Sequence, residues 1–367
     1  MRDNKKEIRK GITIHTIKTN SFKTDLVAVF LTTKLNRENV TKNAMIPMIL
    51  SKGSKSLESI EEINKKLEDM YGAAFDCGID KTGDNQVLKF YLETINNKYL
   101  PQEENIIQES ISTLLELVFN PKTKNNAFTS EYLDTEKEKL KIIIEGKKDN
   151  KAQYANLRCQ EEMYKGTPFG LYKYGYIEDI EKIDANNLYE HYKKLISECK
   201  IDIFVSGDIG EEAVIDLINQ NPNVQKLNER EPEYNRKNTP FEKHDKKEII
   251  EKADVTQGNL VLGLSILDDN KKEKYAAIVY NAILGGSATS KMFQIVREKH
   301  SLAYTASSNY LRHKNCIFIR AGIEIDNYEK TLNLIYEQIE DMKNGNFTDE
   351  DIENAKVRNN WNSKDDT

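Results

Sequence analysis

From Leu26 to Leu31 the chain reads LVAVFL, an apolar run of strand length bounded by Asp25 and by Thr32-Thr33-Lys34, and it predicts a buried strand. Ser59 and Glu62 form a capping-box pattern; Ile60, Ile63, Leu67 and Met70 then recur at helical spacing until Gly72 offers a stop. Val87 to Leu92 predicts a second strand, and Ile106 to Phe119 a long apolar helix ended by Pro121.

The order then restarts. Leu260 to Leu267 (LVLGLSIL) resembles the first strand, and Lys274 to Leu284 supplies helix formers ahead of Gly285-Gly286-Ser287. Laying Lys52-Gly53-Ser54 over Gly285-Gly286-Ser287 sets the halves 233 residues apart with their helices at matching places, which points to an internal duplication. Cys316 to Ile325 predicts a further strand, and Leu332, Ile335, Ile339 and Met342 trace one face of a helix ended by Gly345. Each half is α+β. Between them, residues 219–247 carry Pro222, Pro232 and Pro240, many charges and few large apolar residues, as a linker does. The expected division is a first domain over 1–220, a linker over 221–247 and a second domain over 248–367.

At 367 residues the chain exceeds the roughly 250–300 at which single cores stop growing, so two domains are the default. Lysine and arginine number 54 against 60 acidic residues, a net charge of −6, and no basic run interleaved with aromatics appears, which argues against nucleic acid as a partner. No stretch approaches the roughly 20 apolar residues of a membrane helix, and no apolar segment follows the basic N-terminus, so the expected location is cytoplasmic, away from the membrane. Cys77, Cys159, Cys199 and Cys316 form no CxxC pair and read as free thiols. The five histidines, His15, His191, His244, His300 and His313, include no i, i+4 pair that could grip a metal. No GxSxG elbow, phosphate loop or spaced GxGxxG occurs.

The stretch Asn281 to Thr305 (NAILGGSATSKMFQIVREKHSLAYT) resembles the second-half signature of the pitrilysin superfamily, the inverzincin metallopeptidases that include insulinase and mitochondrial processing peptidase. Tyr172 to Ile183 (YKYGYIEDIEKI) and Phe204 to Asp208 resemble two further family segments, so the likeness covers nearly the whole chain. It implies two homologous α/β sandwich domains, each an antiparallel-rich sheet packed with helices and joined by a linker. In the family an arginine and a tyrosine seven positions apart contact bound peptide; the matching residues are Arg297 and Tyr304. Left to spacing alone, these two also fit an arginine paired with a neighbouring carboxylate and a half-buried strand tyrosine.

The family's zinc site is an HxxEH helix in the first half plus a later glutamate. Aligned through Lys52-Gly53, this chain reads Ala44-Met45-Ile46-Pro47-Met48 there. Alanine has no donor atom, a thioether is a poor zinc ligand and proline takes no proton, so Ala44, Pro47 and Met48 cannot serve as ligands or base. Pro47 is also expected to break a helix unless it stands at the first position. Glu145 matches the remaining ligand and Glu138 its upstream partner, although the pair also fits one solvated helix face, and the spacing from Met48 suggests an insertion around residues 96–131. After Thr348 to Lys356, residues 357–367 are polar without helical periodicity, where family members continue for some tens of residues; the last helix and strand of the second half are therefore expected to be missing.

The resemblance implies a catalytically silent subunit, without a cofactor of its own, that pairs with a zinc-bearing homologue and lends Arg297 and Tyr304 to a peptide or unfolded segment. Among family branches it is most similar to bacterial cytoplasmic proteins associated with elongation factor P modification. The rival is a peptide- or protein-binding scaffold with no proteolysis; an independent metallopeptidase conflicts with the ligand count.

Overall fold

A computed structural model of the protein describes residues 3–101, 104–241, 245–266 and 271–365; His244 and Leu267 lie outside them. The chain forms two compact units, Met1–Glu145 with Leu171–Lys237, and Gly146–Gly170 with Asn238–Thr367. The units divide the chain elsewhere than the composition dip suggests. Residues 226–237 are tied into the first unit: the Arg230 N–H donates to Lys10 O, its guanidinium donates to Ile196 O, and the Asn85 side-chain amide both donates to Asn235 O and accepts from the Asn235 N–H. Residues 146–170 join the second unit through tertiary packing, which periodicity does not register.

In the first unit the strands are β1 (Asp3–Arg9), β2 (Ile12–Lys18), β3 (Thr24–Lys34), β4 (Ala74–Thr82), β5 (Asn85–Ile95), a short β6 (Thr123–Lys124) and β7 (Ala127–Phe128) hairpin, and β8 (Lys200–Gly207). The main sheet runs β1-β2-β8-β3-β5-β4, with β2 and β8 the parallel pair. The helices are α1 (Val40–Leu50), α2 (Ile60–Asp69), α3 (Ile106–Phe119) and α4 (Ser130–Glu145), then, beyond α5 (Lys151–Met163) of the second unit, α6 (Ile177–Ile180), α7 (Ala185–Glu198), α8 (Glu211–Gln220) and α9 (Pro222–Gln225). Along β3, Val27, Val29 and Leu31 are fully buried, opposite Leu92, Phe90 and Leu88 of β5. The other face carries a row of rings, His15, Phe204, Phe30 and Tyr91, with His15 stacked on Phe204 at 4.1 Å. Ser59 caps α2 by accepting from the Glu62 N–H, but the Glu62 carboxylate accepts from the Glu58 N–H, one residue outside the box.

Helix α1 is buried on nearly every side and runs through Pro47. The expected break does not occur: the Ser51 N–H donates to Pro47 O at 3.1 Å, so the ladder resumes one turn on. An interior proline costs about 3 kcal/mol, offset here by the burial of Met45, Ile46, Ile49 and Leu50. A buried polar cluster pins the helix. The Asn43 amide donates to Gln86 Oε1 (2.8 Å) and meets His191 Nε2 (2.7 Å), while Gln86 donates to Val40 O and Lys173 O. Gly175, at φ +81°, lies hard against Thr41, whose hydroxyl accepts from the Tyr176 N–H and donates to Asp179; Gly207 lies equally close to the Asp25 carboxylate. The glycines in YKYGY and FVSGD are thus places where no side chain fits.

The second unit contains α5, β9 (Gly258–Ser265), α10 (Lys271–Leu284), a π-helix (Met292–Lys299), β10 (Ala303–Leu311), β11 (Cys316–Ile323), α11 (Tyr328–Lys343) and α12 (Asp349–Asp365). Its sheet runs β10-β11-β9, all antiparallel. Shifted by 233 residues, β3 and α1 fall within a residue or two of the starts and ends of β9 and α10, as the duplication predicts. The two sheets differ at one edge. β8 lies antiparallel beside β3, whereas among the described residues no strand lies on the corresponding edge of β9. There β9 stays half-buried along its length and flanks a cavity of about 2250 Å³ lined by Leu260, Leu262, Leu264, Tyr280, Ile339 and Phe347. Helix α12 continues to Asp365, past the point where the sequence loses its period.

Burial, followed by the nearby Lys42 and Lys194 charges, pushes the His191 pKa down to about 4 from its ordinary 6.5. Asn43 donates its Nδ2 hydrogen to Gln86 and so offers Oδ1 to the ring, which donates from Nε2; with its pKa lowered by burial, the neutral ring carries its proton there. A folded-state value below the unfolded one makes this stability complete above pH 6.5 and lost as pH falls toward 4, to a total of about 3 kcal/mol. Urea midpoints of the wild type should fall through that window, and His191→Gln, which cannot titrate, should flatten the slope; an unchanged slope contradicts the assignment. Gly175→Ala should lower the unfolding free energy by at least about 1–3 kcal/mol, because it combines positive φ with a clash at Thr41; an unshifted midpoint would contradict that.

Candidate functional site

The positions that match a metal helix are closed. Ala44 is 3% exposed, Pro47 is buried and Met48 half-buried. The Pro47 carbonyl accepts from the Ser51 N–H and from the Cys77 thiol of β4 at 3.3 Å. Burial pushes the Cys77 pKa up to about 11, which keeps it a neutral donor and not a thiolate ligand.

Helix α4 turns Leu133, Glu136, Leu140 and Ile144 inward, while Glu138 and Glu145 are exposed. The carboxylate brought to the end of α1 is therefore Glu136, 2% exposed, which pairs with Lys52 at 3.3 Å and Lys139 at 2.6 Å. Sequence reasoning missed it. The available signal was its place three residues after Leu133 and four before Leu140, on the apolar stripe, where a charge needs a partner. Zn²⁺ does not fit this donor set: alanine, proline and a half-buried thioether face α1's surroundings, and Glu136 is already neutralised by two ammonium groups. Among the described residues no three His, Cys, Asp or Glu side chains converge to hold a metal ion.

In the second unit, Arg297 lies on the π-helix, a rare geometry frequent at functional positions. Its guanidinium covers the Phe293 ring at 4.4 Å and its Nε stands 3.6 Å from Glu298, with the side chain 40% exposed. Tyr304 is the extra residue of a β-bulge: Ala303 pairs with Ile323 and Thr305 with Gly322, leaving Tyr304 between the rungs. A bulge re-aims a side chain that regular alternation would send inward. Tyr304 is accordingly 58% exposed, not half-buried, and its hydroxyl donates to Glu324 Oε1 at 3.1 Å; that hydrogen bond raises its pKa and keeps the phenol protonated. The π-helix packs on β10, so both residues rise from one layer, each held by a partner of its own. Glu324 and the bulge escape sequence reading because each depends on pairing register, and Phe293 because the winding of the helix decides what meets Arg297.

Known proteins resemble this chain in sequence and in fold. The sequence signature described as Peptidase M16 inactive domain matches residues 182–358. A protein of Bacillus subtilis named probable inactive metalloprotease YmfF is 36% identical over 348 residues, covering 95% of this chain and 81% of that protein. A crystal structure of a conserved protein from Enterococcus faecalis V583 superposes with a TM-score of 0.86 at 27% identity, over 100% of this chain and 86% of the other. A peptidase M16 inactive domain from Pseudomonas fluorescens, 18% identical, shares the fold with a TM-score of 0.77 over 99% and 84% of the two chains. On these likenesses of sequence and fold, the chain belongs to the M16, or pitrilysin-type, peptidase family.

Proposed function

We propose that this chain is a non-catalytic M16 subunit that pairs with a zinc-bearing homologue and contributes Arg297 and Tyr304 to the handling of an extended peptide. The observation that carries this reading is the contrast within one chain. The α1 positions have no donor set, whereas Arg297 and Tyr304 stay exposed on a π-helix and a bulge that aim them outward. A guanidinium offers fixed, permanently charged donors to a peptide carbonyl, and a protonated phenol adds one more. The homologue would supply the metal chemistry; this chain would hold and orient the peptide. A non-proteolytic scaffold is the second reading, favoured by the Tyr304 proton being committed to Glu324 in the isolated chain.

The chain alone should leave peptides uncut, and mixing it with an intact HxxEH homologue from the same genome should give a 1:1 complex that cleaves them. In that complex Arg297→Ala and Tyr304→Phe should each lower turnover, by roughly a hundredfold for a well-placed donor. A cleaving complex with unchanged turnover in both variants refutes their role; a complex without cleavage selects the scaffold.

A further inference from the structure

Strand β11 alternates cleanly. Ile317, Ile319, Ala321 and Ile323 face the core formed with the helices, while Cys316 and Phe318 face the opposite side with Tyr164 and Phe169. Alternation puts Arg320 on that second side, one rung beyond Phe318. Its cross-strand neighbours are Ser307 of β10 and Val261 of β9. Along β10 the residues on this side, Thr305, Ser307 and Asn309, are all exposed, so beyond the aromatic cluster the face opens as a polar strip. The strip begins at the bulge that carries Tyr304.

Arg320 lacks a counter-charge. It is half-buried, its Nε is enclosed without an acceptor, and no carboxylate of the described residues pairs with it. Burial alone lowers its pKa from the ordinary arginine value, with no acidic neighbour to oppose that effect. The other arginines for which burial is prominent show the contrast: Arg158 holds Glu161, Glu162 and Glu251, and Arg230 donates to the carbonyls of Ile196 and Asn228. Holding a partly desolvated guanidinium unpaired costs free energy that a bound carboxylate would recover, with the directional strength of a charge-assisted, two-pronged hydrogen bond.

We infer that Arg320 is a carboxylate-binding position on the peptide-facing side of β10 and β11, selecting extended peptides that place an acidic side chain opposite Ser307. This deepens the reading of Arg297 and Tyr304 as peptide contacts and rests on it. Arg320 would set which peptides are held; the reacting bond lies elsewhere. Ser307, directly across from Arg320, and the exposed Thr305 and Asn309 on either side supply hydroxyl and amide groups for the flanking polar atoms of the same segment.

The test uses the full chain and a short fluorescein-labelled peptide, amidated at its C-terminus, with one central glutamate, beside its glutamine and lysine twins. Fluorescence anisotropy should show the glutamate peptide binding the wild type about tenfold or more tighter than the glutamine twin, an advantage that shrinks with added salt. Arg320→Gln should reduce that ratio to near one by weakening the glutamate peptide most, and Arg320→Glu should turn the preference toward the lysine twin. Arg320→Gln should melt no lower than the wild type, because no internal ion pair is lost; a clear drop would assign Arg320 a structural role and overturn the proposal. Equal affinity of the wild type for the glutamate and glutamine peptides, or a preference that survives Arg320→Gln, refutes the carboxylate position and leaves peptide binding standing. No binding of any of the three peptides refutes both.

Discussion

Helix α1 lies in the first unit with almost no solvent face, and what surrounds it is dictated by that enclosure. A buried helix can carry polar atoms only where each finds a partner, since an orphaned buried group costs roughly 1–3 kcal/mol. Asn43 therefore requires both Gln86 and His191, Thr41 requires Asp179, and the fit of Thr41 against the backbone requires glycine at 175. The same enclosure explains how Pro47 is tolerated: packing on several sides holds the turn that its missing N–H would otherwise loosen. A metal helix of this fold would present imidazoles and a carboxylate to an open site. Here the equivalent surface is closed by apolar groups, a neutral thiol and the Lys52–Glu136–Lys139 cluster.

The two units start from one arrangement and diverge in what their sheets expose. β3 is gripped on both edges with Val27, Val29 and Leu31 sealed, whereas among the described residues β9 has β11 on one side only and stays half-buried. The second unit departs from regular geometry at the π-helix and at the Tyr304 bulge, the two places that carry Arg297 and Tyr304. Such irregularities weaken a helix or a ladder locally and persist where surrounding packing over-determines them. They convert a regular α+β layer into one that displays a guanidinium and a phenol.

Much of this was legible in the sequence. The helix over Ile106–Phe119 and the strand pair behind Leu26–Leu31 and Leu260–Leu264 follow from apolar periodicity, and the 233-residue repeat places one unit's elements on the other's. That Ala44, Pro47 and Met48 offer no zinc donor set also follows from side-chain chemistry alone. Other features needed coordinates. Whether Pro47 ends a helix depends on tertiary support, and which of Glu136, Glu138 and Glu145 turns inward depends on the rotation of α4. The exposure of Tyr304 rests on a one-residue shift in pairing, and the isolation of Arg320 rests on what β9 and β10 place opposite it. The membership of residues 146–170 in the second unit comes from packing around Tyr164 and Phe169, which no local pattern encodes.

The α1 region of this chain has no donor set for a catalytic metal. Its most direct test is elemental analysis of the purified full chain after incubation with excess zinc and exhaustive dialysis. Zinc should stay far below one atom per chain, with no change on replacing Glu136 or Glu145; one tightly retained zinc per chain would overturn this reading.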